Sequence, residues 1–461
     1  MSEDLDAGSI RSQEGPSPTG VPGWLQVATL ALIALSCSQL GYVGHPRYGP
    51  FIAAADVLCA LLFVVWAIRV WACRRMGELT WPPAALWAWV AAAVLSVSMA
   101  AVEGEGALAR GAIKDGVVEV AQLVLYFVVA YMIFVDILRD GTMLRRAYLT
   151  LLAASCVVVL WGLADYVTQA DAMQVKAGFG NRNAYSAFLV MVIPLLVGVS
   201  AYGASRLLRG GALALAFGAA ITMLGPPHVW LMAGLTIAVA YYRGGAYRAR
   251  VAPAAAALTL LVCLALPRNY EANVSSFLDP YERGEMYKLA AGSEADEAST
   301  GDQTGQELIV KKRWLEWQPA LVMMTENLPL GVGAGRFQDR LGEAGFYGSL
   351  PNVKKSEPDT NNLYLVVGGS MGLAGLVALI GLLAWFWRRG SELWRSAQSP
   401  TQRGLALGLG AAVVGIAAAN IFTSLFVRGI SVIWALVFAM ITVATRLAAS
   451  GDDEAHEPGV D

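Results

Sequence analysis

Residues 313–338 read RWLEWQPALVMMTENLPLGVGAGRFQ, and after a polar gap residues 356–376 read SEPDTNNLYLVVGGSMGLAGL. The first is an Arg–Trp helix candidate that runs into a turn with alternating glycines. The second passes from acids and amides straight into an apolar run. Both belong to the longest polar segment of a chain that is otherwise apolar. Of 461 residues, 56% are hydrophobic and only 15% are charged, against roughly 25% charged in a soluble domain. The charges are confined to gaps between long apolar stretches. That pattern specifies an all-α, polytopic membrane protein with the lipid bilayer as its solvent.

A helix needs about 20 apolar residues to cross a bilayer. Spans are expected at 24–43, 51–71, 82–101, 116–138, 148–168, 184–202, 211–225, 228–243, 251–267, 363–387, 405–425 and 430–447, about twelve in all. The seventh and eighth are short and separated only by Gly225, Pro226, Pro227 and His228, so they form a tight hairpin or one broken helix. Orientation follows from Lys and Arg in the short gaps. Arg69, Arg74, Arg75, Arg139, Arg145, Arg146, Arg206, Arg209, Arg243, Arg248, Arg250, Arg388, Arg389, Arg395 and Arg403 fall in one alternate set. The other set holds only Arg47, Arg110, Lys114, Lys176, Arg182 and Arg428. The Arg-rich side is expected to be cytoplasmic, with both termini inside and the long loop outside.

The resulting layout has a disordered cytoplasmic N-terminus (1–23), a transmembrane bundle of about nine helices (24–267), a large extracytoplasmic loop (268–362), three C-terminal transmembrane helices (363–447) and an acidic cytoplasmic tail (448–461). Within the loop, 291–306 is small, polar and expected to be flexible. Residues 308–325 are expected to form an amphipathic helix with Trp314, Trp317 and Leu321 on one face, suited to the membrane interface.

Several partners and cofactors are excluded. A net charge of −2 argues against nucleic acid. The five cysteines lie in or beside apolar runs, and the three histidines are scattered, so neither a disulfide framework nor a metal site is expected. No cofactor is expected.

Candidate site residues lie toward the outer ends of the spans. Asp56, Glu119, Asp165 and Asn420 share that level with Arg110, Lys114, Arg182 and Arg428. Ionisable groups at membrane depth face a cavity or pair with each other, so the set reads as either an outward polar cleft or interhelical ion pairs. Asn181, Arg182 and Asn183 precede a helix whose N-terminus faces outward, which suits a phosphate or an ordinary cap. The turn PLGVGAGRF matches no dinucleotide or P-loop pattern and reads locally as a tight turn. Glu357, Asp359, Asn361 and Asn362 stand at the mouth of a span, where Asp359 or Asn362 would also serve as a helix cap.

These segments together resemble the O-antigen ligase and O-antigen polymerase superfamily, multi-span glycosyltransferases of the GT-C type. The resemblance covers roughly residues 24–447. It is carried by Gly178-x-Gly180-Asn181-x-Asn183 leading to Pro194-Leu195, by Arg313-x-x-x-Trp317 with Pro329-Leu330-Gly331-Val332-Gly333-x-Gly335-x-Phe337, and by Asn362-x-x-Leu365 with Gly369, Gly372, Leu373 and Gly375-Leu376. It implies transfer of a glycan from an undecaprenyl-pyrophosphate carrier to a glycan or glycolipid acceptor, outside the bacterial inner membrane, without metal or nucleotide sugar. Arg313 matches the loop arginine that holds the pyrophosphate, with Arg182 as a second contact. Arg336 and Trp317 complete the expected substrate-binding set.

Two departures stand out. The His-x-His-Asn pattern that many ligases carry before the tenth span is here Asp359-Thr360-Asn361-Asn362, and a Ser-Arg-Gly step is replaced by Pro226-Pro227-His228. His228 is the only histidine near that level. The missing histidines move the expected proton acceptor to Asp359 or Glu357, which burial would have to make more basic. Asn361 and Asn362 would orient the sugar. A non-catalytic glycolipid-binding member and a lipid-linked glycan transporter are the alternatives.

Overall fold

The computed structural model describes residues 21–38, 53–103, 106–169, 175–179, 182–223, 266–267, 313–337, 340, 362–421 and 430–450. Among these the secondary structure is entirely helical. The helices are α1 (Gly23–Ser36), α2 (Ala54–Ala72), α3 (Ala84–Glu103), α4 (Gly106–Leu123), α5 (Ala130–Ile137), α6 (Gly141–Thr168), α7 (Arg182–Tyr202), α8 (Arg206–Thr222), α9 (Arg313–Glu326), α10 (Leu363–Ser396), α11 (Pro400–Ala419) and α12 (Ile430–Ser450). A π-helical turn, Val124–Val129, joins α4 to α5.

Eight helices among the described residues are long and apolar enough to cross a membrane, with α4, the π turn and α5 forming one span from Ile113 to Ile137. The expected spans at 228–243 and 251–267 lie outside the described residues, apart from 266–267. So do most of the N-terminus, the acidic tail and most of the long loop. The first span is shorter than expected: α1 has 14 residues and ends in a turn at Cys37. The tenth is longer, with 34 residues.

Lipid-facing and buried helices are separated by pattern. On α2, Val57, Leu61, Val64 and Ile68 are exposed at helical spacing, while Cys59, Leu62, Trp66 and Val70 on the opposite face are buried. An apolar stripe turned outward is what a bilayer, not water, selects. The centre is formed by α5, α7 and α12, apolar all round and enclosed by the other helices. Phe386 stacks on Phe438 with ring centroids 3.9 Å apart, and Phe127 meets both Trp89 (5.3 Å) and Trp434 (5.7 Å).

Small residues set the closest approach. The α7–α11 contact is the most extensive in the bundle. A Cβ on Gly404 would sit 3.1 Å from the Gly198 carbonyl, and one on Gly408 would sit 3.0 Å from Leu195 Cα. In lipid, where apolar burial gives no driving force between helices, such close backbone contact is a main source of association. The start of α11 is specified locally by Ser399-Pro400-Thr401-Gln402. Ser399 Oγ accepts from the Gln402 N–H and Gln402 Oε1 accepts from the Ser399 N–H, both at 3.2 Å, with Pro at the first helical position.

Several of the arginines from the Arg-rich gaps meet at one end of the bundle. Asp136, 7% exposed at the end of α5, accepts from Trp66 Nε1 at 3.0 Å and from Arg75 at 3.5 Å, and it also pairs with Arg139 and, at 3.9 Å, with Arg69. Arg446 on α12 donates to Thr80 Oγ1 at 2.7 Å.

Candidate functional site

The glycine turn after α9 is inserted among α3, α4 and α10. It forms because α10 is broken. Gly372 has φ 65° and ψ −165°, outside the helical region. In an unbroken helix the carbonyls of Gly369 and Ser370 would accept from the N–H groups of Leu373 and Ala374. Instead the Gly369 carbonyl accepts from the Val332 N–H and the Ser370 carbonyl from the Gly333 N–H, each at 2.9 Å, and the Ala374 N–H reaches back to the Pro329 carbonyl at 3.3 Å. The turn therefore satisfies backbone groups that the break releases at membrane depth, where leaving them unpaired is costly.

Glycine is required on both sides of this joint. Gly331, Gly333 and Gly335 have φ of 71°, 104° and 79°. A Cβ on Gly331 would lie 2.5 Å from the Gly369 carbonyl oxygen, and one on Gly335 would lie 2.6 Å from the Asp115 carbonyl carbon. The alternating glycines are thus one interlocking surface rather than the bland turn their local pattern suggests.

Polar side chains clasp the rest of the turn. Asn327 ends α9, its amide donating to the Met323 carbonyl at 2.8 Å while its own carbonyl accepts from the Gly331 N–H at 2.7 Å. Ser96 Oγ on α3 accepts from the Ala334 N–H at 3.1 Å. The Glu119 carboxyl on α4 takes the Gly335 N–H. Arg336 follows, part-exposed, and makes no ion pair among the described residues. Beneath the turn, Ala320, Met323, Val332 and Phe337 form a small apolar core with Leu365 and Val366 of α10.

The described part of α9 starts at Arg313, residues 308–312 of the expected helix lying outside the described residues. Ala320 and Met323 are buried, Trp317 is half-buried and Leu321 is exposed. The face that packs on α10 is dictated by Gly368 and Gly369, which leave room for Met324 and Met323.

The polar groups expected at the outer ends of the spans separate by role. Asp56 accepts from the Ala53 N–H at 2.9 Å and from the Tyr126 hydroxyl at 2.8 Å, closing the start of α2. Asp165 accepts from the N–H of Ala177, a residue at φ 45°, and so holds the segment before α7. Asn420 ends α11, and its backbone carbonyl accepts from the Leu363 N–H at 2.9 Å. Asn362, expected to orient a sugar, is 5% exposed and caps α10, its Oδ1 accepting from the Leu365 N–H at 3.1 Å. Three of the four cleft candidates therefore serve the fold through neutral partners. Glu119 alone is turned onto the glycine turn.

Asp359, Glu357, Asn361, Asn181 and His228 lie outside the described residues. Arg313, Arg182 and Asn183 have described backbone, each in the first turn of its helix, but their side chains lie outside the description. Of the expected set, Arg336, Trp317 and Asn362 are brought to the α9–α10 joint. Ser96 is the residue that sequence reasoning left out of the site, since a lone Ser in a span carries no signal; Glu119 was among the cleft candidates because it is an acid inside an apolar run.

The fold and this joint define a polytopic membrane protein with an ordered turn packed between its helices. No protein-family model matches the chain, and no curated protein matches it.

Proposed function

We propose that this chain is a membrane glycosyltransferase of O-antigen ligase or polymerase type. It would transfer or polymerise a glycan carried on undecaprenyl pyrophosphate, at the outer face of a bacterial inner membrane. A GT-C-like bundle of about twelve spans, with both termini cytoplasmic, belongs to the same proposal. One observation carries it. Two of the three segments on which the family resemblance rests, 329–337 in the loop and 362–376 at the start of α10, are separated in sequence by residues 338–361 and yet interlock backbone to backbone. The residues that made the resemblance act as one structural unit, beside a helix that begins with Arg313 and a turn that ends on Arg336.

In this reading Arg313, Arg182 and Arg336 bind the pyrophosphate, for which guanidinium geometry is well suited. Neutralising its charge makes it a better leaving group. An acidic side chain takes the proton of the acceptor hydroxyl, with Asp359 and Glu357 as the loop candidates. Trp317 lies where a lipid or sugar face would pack.

Deletion of the gene followed by gel analysis of surface polysaccharide tests the proposal. Shortened polymer is expected from loss of a polymerase, and free polymer beside a bare acceptor from loss of a ligase. An unchanged polysaccharide profile removes the glycosyltransferase reading.

A further inference from the structure

We infer that Glu119 is a catalytic carboxylate of this site and receives the proton of the acceptor hydroxyl; the inference rests on the glycosyltransferase reading above.

The argument begins with cost. Glu119 lies on the span from Ile113 to Ile137, and an ionisable group there is retained only where it pairs or functions. No ion pair to Glu119 exists among the described residues, whereas Asp136 on the same span is surrounded by three arginines. Among the described residues the partner of Glu119 is one backbone N–H, from Gly335. A carboxylate has about four lone-pair positions, so these residues leave most of its accepting capacity unused. Its side chain is not sealed off, being part-exposed.

Its surroundings point the same way. The residue after Gly335 is Arg336, and no ion pair joins it to Glu119 among the described residues. Had they paired, each would be neutralised by the other. Without such a pair, α4 offers a base for a hydroxyl and the turn packed on it offers a cation for a phosphate. The span beside Glu119 also changes to π-helical winding at Val124–Val129, a distortion that concentrates at functional positions.

The step balances. The acceptor oxygen attacks the anomeric carbon and forms the new glycosidic bond. The bond from that carbon to the pyrophosphate oxygen breaks, and its electron pair leaves with the lipid pyrophosphate. The acceptor proton moves to Glu119 and then to water.

The test uses purified full-length protein reconstituted with membranes from a gene-deletion strain, which retain both the donor and the acceptor. Glu119→Gln is the decisive variant. Its amide oxygen still accepts from Gly335, but it takes no proton. Turnover is expected to fall roughly 10²–10⁴-fold, while the unfolding temperature and retention of the lipid-linked donor stay at wild-type values. Added formate is expected to restore part of the rate to Glu119→Ala, which a merely structural loss would not allow. Wild-type turnover in Glu119→Gln overturns the assignment and leaves Glu119 as a clasp. So does a loss of turnover that only follows a loss of stability and is not relieved by formate. Absence of transfer by the wild-type protein instead removes the glycosyltransferase reading, and the inference with it.

Discussion

The Val332 N–H donates to the Gly369 carbonyl at 2.9 Å, so a loop segment is joined to a membrane helix through backbone alone. The joint exists because Gly372 interrupts α10 and releases the acceptors that the loop uses. Neither side is stable in isolation: a broken helix at membrane depth has unpaired groups, and a glycine-rich turn loses much conformational entropy on ordering.

Replacing Gly331 or Gly372 with Ala is therefore expected to separate the turn from α10. Each substitution forces a non-glycine residue to positive φ, at about 1–3 kcal/mol, and adds a clash with the facing backbone. Thermal unfolding in detergent should show a lower transition for each. Because both act on one joint, the double variant should cost much less than the sum.

Ser96→Ala removes the acceptor for the Ala334 N–H and leaves that donor buried. A loss of about 1–3 kcal/mol is expected, with Ser96→Thr close to wild type if its methyl fits. Denaturant titration of the purified protein measures both. Transfer should fall in Ser96→Ala only to the extent that the turn loosens.

Asp136→Ala leaves the buried Arg75, 4% exposed, with the exposed Glu78 as its one remaining carboxylate partner among the described residues. Removing one partner of a buried pair costs about 3–5 kcal/mol. Expression level and unfolding temperature should drop sharply, and replacing Arg75 with Met in the same chain should recover part of the loss. This cluster lies at the opposite end of the α4–α5 span from Glu119, so residual folded protein should keep its glycan-transfer rate.

Asn362 is a cap, and its variants should behave as cap variants do. Asn362→Asp should be near neutral, and Asn362→Ala should cost about 1 kcal/mol. A large loss of turnover in a well-folded Asn362→Asp protein would instead return Asn362 to sugar binding.

Arg336→Ala is expected to weaken retention of the lipid-linked donor. A charge-assisted hydrogen bond contributes about 1.5–3 kcal/mol, so roughly 10- to 100-fold weaker binding is expected. Arg336→Lys should recover less than half of that free energy, since Lys does not form the two-pronged contact. Binding of radiolabelled lipid-linked glycan in nanodiscs reads both.

The membrane class was legible in the sequence because hydropathy is a local sum. A run such as 54–72 needs no knowledge of the rest of the chain to qualify as a span. The Arg-rich gaps were equally legible, although their gathering of Arg69, Arg75 and Arg139 around Asp136 was not. Boundaries moved where local capping intervened, as at Ser399 and Asn420. Which side of α9 packs was not legible, because the glycines of α10 decide it: Gly368 and Gly369 receive Met324 and Met323.

By itself the sequence determined an all-helical chain made for a bilayer, the apolar runs that form its long helices, and the glycine-rich and amide-rich segments on which the functional proposal rests. The tertiary structure alone decided which polar groups the fold consumes. Asp56, Asp165 and Asn362 are spent on backbone N–H groups, and Glu119 is turned onto the turn that carries Arg336. The reason is physical. A carboxyl or amide in an apolar run has the same local sequence signature whether it caps a helix or serves a substrate, and only the three-dimensional placement of backbone donors distinguishes the two.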